Sequence, residues 1–276
     1  VMSKGHLIFA QNSGIDYIRQ AYALALSIKK FNTVNQVCLV TNDPVPLEYI
    51  NVFDHIVKFP WGDMAEKSEW KVENRWKIIY CTPFKETLVY DSDMLLLETN
   101  DHLWYWLDGS EVELTSRVYD YRGNLITKFN NPYRKTFAAN NLPDVYCGLF
   151  YFKKSKLAFE FFKWVECIMK DYERVYSKYT PGVTQKVCSM DVSAAIASDI
   201  LNLKQNQVLS FTHMKPGVQG WMVNDLESWQ KYVISYFNSD AKLMVGNYFQ
   251  SGLFHYVEDS FLTDDIIKTL EQLNGA

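Results

Sequence analysis

Two carboxylates stand two residues apart in Leu88-Val89-Tyr90-Asp91-Ser92-Asp93-Met94-Leu95-Leu96-Leu97, directly after one apolar run and before another. Acids set into apolar surroundings need partners. A hard divalent cation shared with a diphosphate is a natural one, because carboxylate and phosphate oxygens both suit Mg²⁺ or Mn²⁺. In that chemistry Asp91 reaches the metal through water or contacts a ribose, and Asp93 binds it directly. An Asp-x-Asp pair is common, and aspartate at a strand-end turn also caps backbone N–H groups. The position after a buried strand favours the functional reading.

The elements around the pair explain its place. His6 to Ala10 reads as a short buried strand, and Asp16 to Phe31 as an amphipathic helix closed by Lys29 and Lys30. Strands are predicted over Gln36 to Thr41, His55 to Phe59 and Thr87 to Tyr90, with a helix over Glu69 to Tyr80. This alternation predicts an α/β fold with a mostly parallel, Rossmann-like sheet flanked by helices. Ligands gather at the carboxyl ends of such strands, where Gln11-Asn12 and Asp91-Ser92-Asp93 fall. The second half is less regular. Val145 to Phe152 is strand-like with an internal glycine, which marks a bulge or a close backbone approach. Lys156 to Tyr172 and Asp191 to Leu203 read as helices, the latter capped by Ser189 or Asp191, and 176 to 189 reads as loop. Without repeats or a linker, residues 1–276 read as one domain, with a regular α/β half (1–100) and an elaborated C-terminal half (101–276).

Composition excludes disorder, since 16% of the 276 residues are aromatic and the net charge is only -4. No apolar run approaches a membrane span of about 20 residues. The opening VMSKGHLIFA lacks an apolar signal core, and five widely spaced cysteines read as reduced core thiols, so a cytoplasmic location is expected. Charge is uneven: between Arg117 and Lys186 stand 13 basic and six acidic residues. Solvated helix faces explain this plainly; a surface for a polyanionic partner is the sharper reading.

These features together resemble the glycosyltransferases of the A-type fold (GT-A), most closely the glycogenin-like and lipopolysaccharide galactosyltransferase-like family 8. That family carries a strand ending Tyr-Leu-Asp-x-Asp, matched here by Tyr90-Asp91-Ser92-Asp93 without the leucine. Its preceding helix bears a basic residue on the nucleotide sugar, and Arg75 and Lys77 stand at the matching distance. The family's first strand ends in residues that hold the base, followed by a tyrosine; Ala10, Gln11, Asn12 and Tyr17 take those places. Val145 to Phe150, with Cys147 and Gly148, is similar to the segment lining the donor sugar. Met190-Asp191-Val192 resembles the helix start whose acid lies near the transferred sugar, and Phe254-His255-Tyr256 the late His-Tyr that supplies a third metal ligand.

The chain departs from the family in two further places. Val192 replaces the glutamine after the acid, and Val257-Glu258-Asp259-Ser260 replaces the Gly-x-x-Lys-Pro-Trp that clasps the diphosphate. In Thr212-His213-Met214-Lys215-Pro216-Gly217, His213 is an alternative metal ligand and Lys215 an alternative phosphate ligand; His255 fits the family spacing better. His6, His55 and His102 lack partners at ligand spacing and read as structural. The resemblance implies retaining transfer from a nucleotide sugar, UDP-linked first, with Mn²⁺ or Mg²⁺ held by Asp91, Asp93 and His255. Asp191 would then stabilise an oxocarbenium-like transition state, and Cys147 packs rather than reacts.

For the acceptor, Tyr119, Tyr121, Tyr133 and Trp221 interleave with basic residues, a pattern that suits stacking on bases or sugars as well as a tyrosine-rich core. Hydroxymethylated DNA bases, of the kind glycosylated in bacteriophages, are one acceptor class this segment admits. Three rivals stand beside the transferase. A haloacid-dehalogenase-like phosphatase would place Asp-x-Asp after its first strand. A nucleotidyltransferase would want a glycine-rich basic loop near residue 12. A non-catalytic nucleotide- or sugar-binding protein would keep the fold without turnover.

Overall fold

The computed structural model describes residues 2–66, 68, 71–127, 134–179, 188–214 and 229–275. Its central sheet has six strands: β1 (Met2–Phe9), β2 (Val37–Val40), β3 (His55–Val57), β4 (Phe84–Asp91), β6 (Val112–Thr115) and β9 (Tyr146–Lys153). They lie in the order β3-β2-β1-β4-β9-β6, with the first four parallel and β9 antiparallel to both its neighbours. The expected mostly parallel α/β sheet is present.

Side-chain alternation sorts the strands into two apolar layers. Leu7, Phe9, Val89, Phe150 and Phe152 face one way, against helices Lys156–Lys170 and Met190–Ile200. Ile8, Ala10, Leu88, Tyr90 and Tyr151 face the other, against helix Tyr17–Phe31. That helix starts where Asp16 accepts the Arg19 N–H, and Lys29 and Lys30 close its negative end.

A second sheet has the order β5-β14-β10-β7-β8, built from β5 (Met94–Leu96), β7 (Arg117–Tyr119), β8 (Leu125–Ile126), β10 (Ser210–His213) and β14 (Leu253–His255). A third comprises β11 (Ser235–Phe237), β12 (Leu243–Val245) and β13 (Tyr248–Phe249). Helix Asp264–Leu273 and a third apolar cluster, with Trp229, Phe254, Tyr256 and Phe261, join these sheets to helix Tyr17–Phe31.

Element boundaries differ from expectation in three places. Over the predicted helix at Glu69 to Tyr80 runs a 3₁₀ segment, Val72–Lys77, that turns α-helical only at Ile78–Cys81. The predicted helix from Lys156 ends at Lys170, and a new one, Tyr172–Tyr179, fills the start of the expected loop, whose residues 180–187 lie outside the described residues. The last predicted helix is Met190–Ile200, and its cap is Ser189, which accepts the Val192 N–H.

Gly5 in β1 is required by close packing: a Cβ there would stand 2.4–2.6 Å from the Phe84 ring. Phe84 is itself fully buried. Gly5→Ala is therefore expected to cost about 1–3 kcal/mol by overpacking. A thermal melt of the variant checks this, and an unchanged midpoint would contradict it.

Candidate active site

Asp91 ends β4 in the central sheet, and the Ser92-Asp93 turn sends the chain into β5 of the second sheet. There β5 pairs antiparallel with β14, setting His255 opposite Met94, while the Tyr256 N–H donates to the Asp93 carbonyl at 3.1 Å. One ligand atom from each of Asp91, Asp93 and His255 consequently lies within 4.8 Å of the others. The imidazole Nε2 of His255 is 3.0 Å from Asp93 Oδ2, and the Arg75 guanidinium is ion-paired with Asp91.

Burial and charge set the protonation of this group. Burial works against ionising Asp91 and outweighs the neighbouring Arg75, so its pKa is raised. Burial also opposes the charge on Asp93, but the adjacent His255 overcomes it and holds the carboxyl below its usual range. His255 shows the converse: burial disfavours its charge, and Asp93 prevails and raises its pKa. Two carboxylates and one imidazole form a set that could hold a divalent metal ion. Gly148 leaves the space beside it, since a Cβ there would lie 3.3 Å from Asp91 Oδ2 and 2.7 Å from Met94 Cε. The same glycine lies where the β6–β9 register slips, so both sequence readings of it apply.

His213 pairs with His255 across β10 and β14, and the two rings are 4.7 Å apart, with His213 outside the three-residue group. Lys215 lies outside the described residues. Tyr17 is half-buried and within the field of Asp93, which together with burial raises its hydroxyl pKa. Asp191, in the first turn of its helix, accepts the Cys147 N–H at 2.7 Å. Burial, with Asp191 and Asp91 nearby, pushes the Cys147 thiol well up, so it is no nucleophile at neutral pH.

Other candidates are committed elsewhere. Ala10 is buried and its N–H donates to the Val40 carbonyl. Gln11 donates to Asp63 at 2.6 Å and accepts from Asn74 at 2.9 Å. The Asn12 side chain accepts the Ile18 N–H at 3.0 Å at the start of helix Tyr17–Phe31. Ser92 is buried and donates to Gln20. The Lys77 ammonium donates to Gly62 O at 2.5 Å and Asn74 Oδ1 at 2.8 Å, whereas Arg75, two residues earlier, faces Asp91. In a 3₁₀ segment residues two apart do not share a face.

Arg134 was visible in the sequence only as one charge among many. Here it is 5% exposed and donates to Asp144 at 2.9 Å, to Asp191 at 2.8 Å and to the Val145 carbonyl. Its guanidinium carbon lies 3.7 Å from the Phe137 ring centre and 3.8 Å from that of Tyr146. It fixes the carboxylate that in turn holds the Cys147-Gly148 backbone.

No family model and no curated protein matches the chain. Solved structures do. An active-site mutant of LgtC, a glutamine-to-glutamate substitution, superposes with a TM-score of 0.51 at 12% identity, covering 98% of this chain and 95% of that one. The galactosyltransferase LgtC in complex with donor and acceptor sugar analogues gives 0.50 at 10% identity, with 98% and 95% covered. The chain has the GT-A glycosyltransferase fold. Within that GT-A frame the three candidate ligands sit at the carboxyl end of β4, the strand next to β1. Among the described residues no helix is long and apolar enough to cross a membrane.

Proposed function

We propose that this chain is a metal-dependent glycosyltransferase that moves a sugar from a UDP-linked donor to an acceptor hydroxyl. The observation that carries the reading is the convergence of Asp91, Asp93 and His255 within 4.8 Å at a strand end of a GT-A fold. These three residues would hold Mn²⁺ or Mg²⁺. Such an ion neutralises the charge that develops on a leaving diphosphate.

The remaining roles belong to the protein's own side chains. Arg75, ion-paired with Asp91, carries a planar donor fork that would bind phosphate oxygens. Tyr17 and the Gln11-Asn12 backbone frame the end of β1 where the base would rest. Asp191, fixed by Arg134, supplies negative charge opposite an anomeric carbon as it becomes cationic. Retention at the anomeric carbon belongs to the proposal on the strength of the family resemblance alone. Gly148 keeps the sugar pocket open next to Asp91.

Among the described residues, part of the positive charge in the middle segment is already buried or paired. Arg134 is buried, Lys154 donates to the Thr82 carbonyl, Lys163 and Lys170 both pair with Glu166, and Arg174 pairs with Asp171. Hydroxymethylated DNA therefore belongs in the acceptor screen beside glycans, with no electrostatic priority. A second reading, binding without turnover, draws on Val192 standing directly after Asp191 and on the acidic Glu258-Asp259 after His255.

Isothermal titration of UDP with and without Mn²⁺ tests the proposal. Mn²⁺ is expected to strengthen UDP binding, and Asp93→Ala to remove that gain, a loss of roughly tenfold or more, about 1.4 kcal/mol. No UDP binding in either condition would overturn the UDP-sugar reading. Hydrolysis of UDP-sugars by the wild-type protein separates transferase from binder.

A further inference from the structure

The tyrosines that the sequence placed among basic residues split between two environments. Tyr133 and Trp221 lie outside the described residues, but Tyr119 and Tyr121 line a cavity of about 370 Å³ together with Tyr248, Phe249, Glu98 and Arg122. That volume falls within the roughly 300–1,000 Å³ of small-molecule sites. Strand register puts Tyr119 and Thr212, in the cavity wall, on the opposite face of the second sheet from His255. Tyr119 pairs with Thr212, and His213 with His255, so the tyrosine and the histidines lie on opposite faces.

The site is braced from behind. Gln250 is buried, and its amide donates to the carbonyls of Tyr121 at 2.9 Å and Tyr248 at 3.1 Å, tying β13 to the turn after β7. Arg117 donates to the Tyr119 hydroxyl at 2.7 Å, and Arg122 to the Tyr121 hydroxyl at 2.9 Å. The Tyr121 and Tyr248 rings meet edge to face at 5.7 Å. Tyr248 and Phe249 nevertheless remain about half exposed, at 47% and 54%. Arg117, Arg122 and Lys242 stand over one face of the Tyr119, Tyr121 and Phe249 rings at 5.9, 5.0 and 5.4 Å, and the ring surface open to a ligand is mainly that of Tyr248 and the uncovered side of Phe249.

We infer that this cavity is a second saccharide-binding site, for a neutral pyranose oligosaccharide, remote from the donor. Aromatic faces stack on the C–H faces of a pyranose ring. Glu98, Ser251, Thr212 and the tyrosine hydroxyls offer acceptors and donors for its hydroxyl groups. Glu98 and Asp120 outnumber Arg122 in the lining, and Arg117 and Lys242 against the Tyr119 and Phe249 rings bring the surround to three bases and two acids, short of the run of cations a phosphate backbone binds. Glu98 lies just beyond β5, the strand that leaves Asp93, so the cavity and the metal triad both adjoin the β5–β14 strand pair. The inference does not depend on whether the donor is turned over.

The test is titration of the full chain with maltoheptaose, cellohexaose and chitohexaose, and with a single-stranded oligodeoxynucleotide, using wild type and Tyr119→Ala/Tyr248→Ala. At least one saccharide is expected to bind, and the variant to bind it roughly tenfold or more weakly, the scale of a lost aromatic anchor. UDP–Mn²⁺ binding by the variant, measured in parallel, is expected to match wild type and shows that the fold is intact. Saccharide binding equal in both proteins, or no saccharide binding at all, overturns the inference. Oligonucleotide binding that the variant loses overturns it in favour of a nucleic-acid surface. Failure of UDP–Mn²⁺ binding in wild type would instead count against the proposed transferase and leave the saccharide result standing.

Discussion

Arg134→Ala is expected to lower stability by about 3–5 kcal/mol, the cost of removing one partner from a buried ion-pair network. The guanidinium satisfies Asp144, Asp191 and the Val145 carbonyl at once, between two aromatic faces. Truncation leaves two carboxylates facing each other across an emptied space and strips Phe137 and Tyr146 of a stacked neighbour. Arg134→Lys keeps the charge and loses the planar fork, so it is expected to recover only part of the loss. The site should register the change as well: Asp191 accepts the Cys147 N–H, and that backbone leads directly to Gly148 beside Asp91. Turnover of a UDP-sugar should fall more in Arg134→Ala than in Arg134→Lys, with UDP–Mn²⁺ affinity changed less than turnover. Chemical denaturation gives the stability arm. A variant within about 0.5 kcal/mol of wild type, the range of ordinary surface changes, would show that the network contributes nothing.

Arg134 also marks the limit of what the residues alone disclose. The Asp91-Ser92-Asp93 pair was readable because a buried β-strand running into two acids is a local pattern. Alternation of strand and helix was equally local, and it forecast the parallel part of the sheet. The meeting of His255 with Asp93 is not local: it depends on β5 leaving one sheet to pair with β14 in another, 160 residues later in the chain, and only a family resemblance pointed to it. Lys77 shows the opposite failure. Its distance from the acids in sequence matched Arg75, but the 3₁₀ geometry turned it toward Gly62 and Asn74. Arg134 had no pattern at all, because its partners come from the stretch before β9, from β9's neighbour Val145 and from the start of a distant helix.

His6 shows how a residue that reads as structural still carries a measurable signature. It lies fully buried in β1, with Nε2 2.6 Å from the Val34 carbonyl and Nδ1 3.0 Å from the Tyr90 hydroxyl. A carbonyl accepts only, so Nε2 carries the proton and Nδ1 accepts from Tyr90, whose oxygen also accepts from Asn100 at 3.1 Å. Protonating Nδ1 would turn two donors toward each other in a site closed to water. Burial accordingly lowers the pKa from 6.5 to about 4, against the Val34 carbonyl and Asp101, which favour the charged form. The sign follows from linkage: below pH 6.5 the unfolded chain takes up a proton that the folded chain refuses until about pH 4. Stability from neutral His6 is thus complete above pH 6.5 and declines as the pH falls, by about 2 kcal/mol at pH 5 and about 3 kcal/mol at pH 4. His6→Gln keeps a polar side chain without a titrating ring. It should be less stable than wild type at pH 7, yet lose less between pH 7 and pH 5. Denaturant titrations of both proteins at the two pH values read the difference directly. Parallel pH slopes would mean that His6 is protonated in the folded chain and that this account of its burial is wrong.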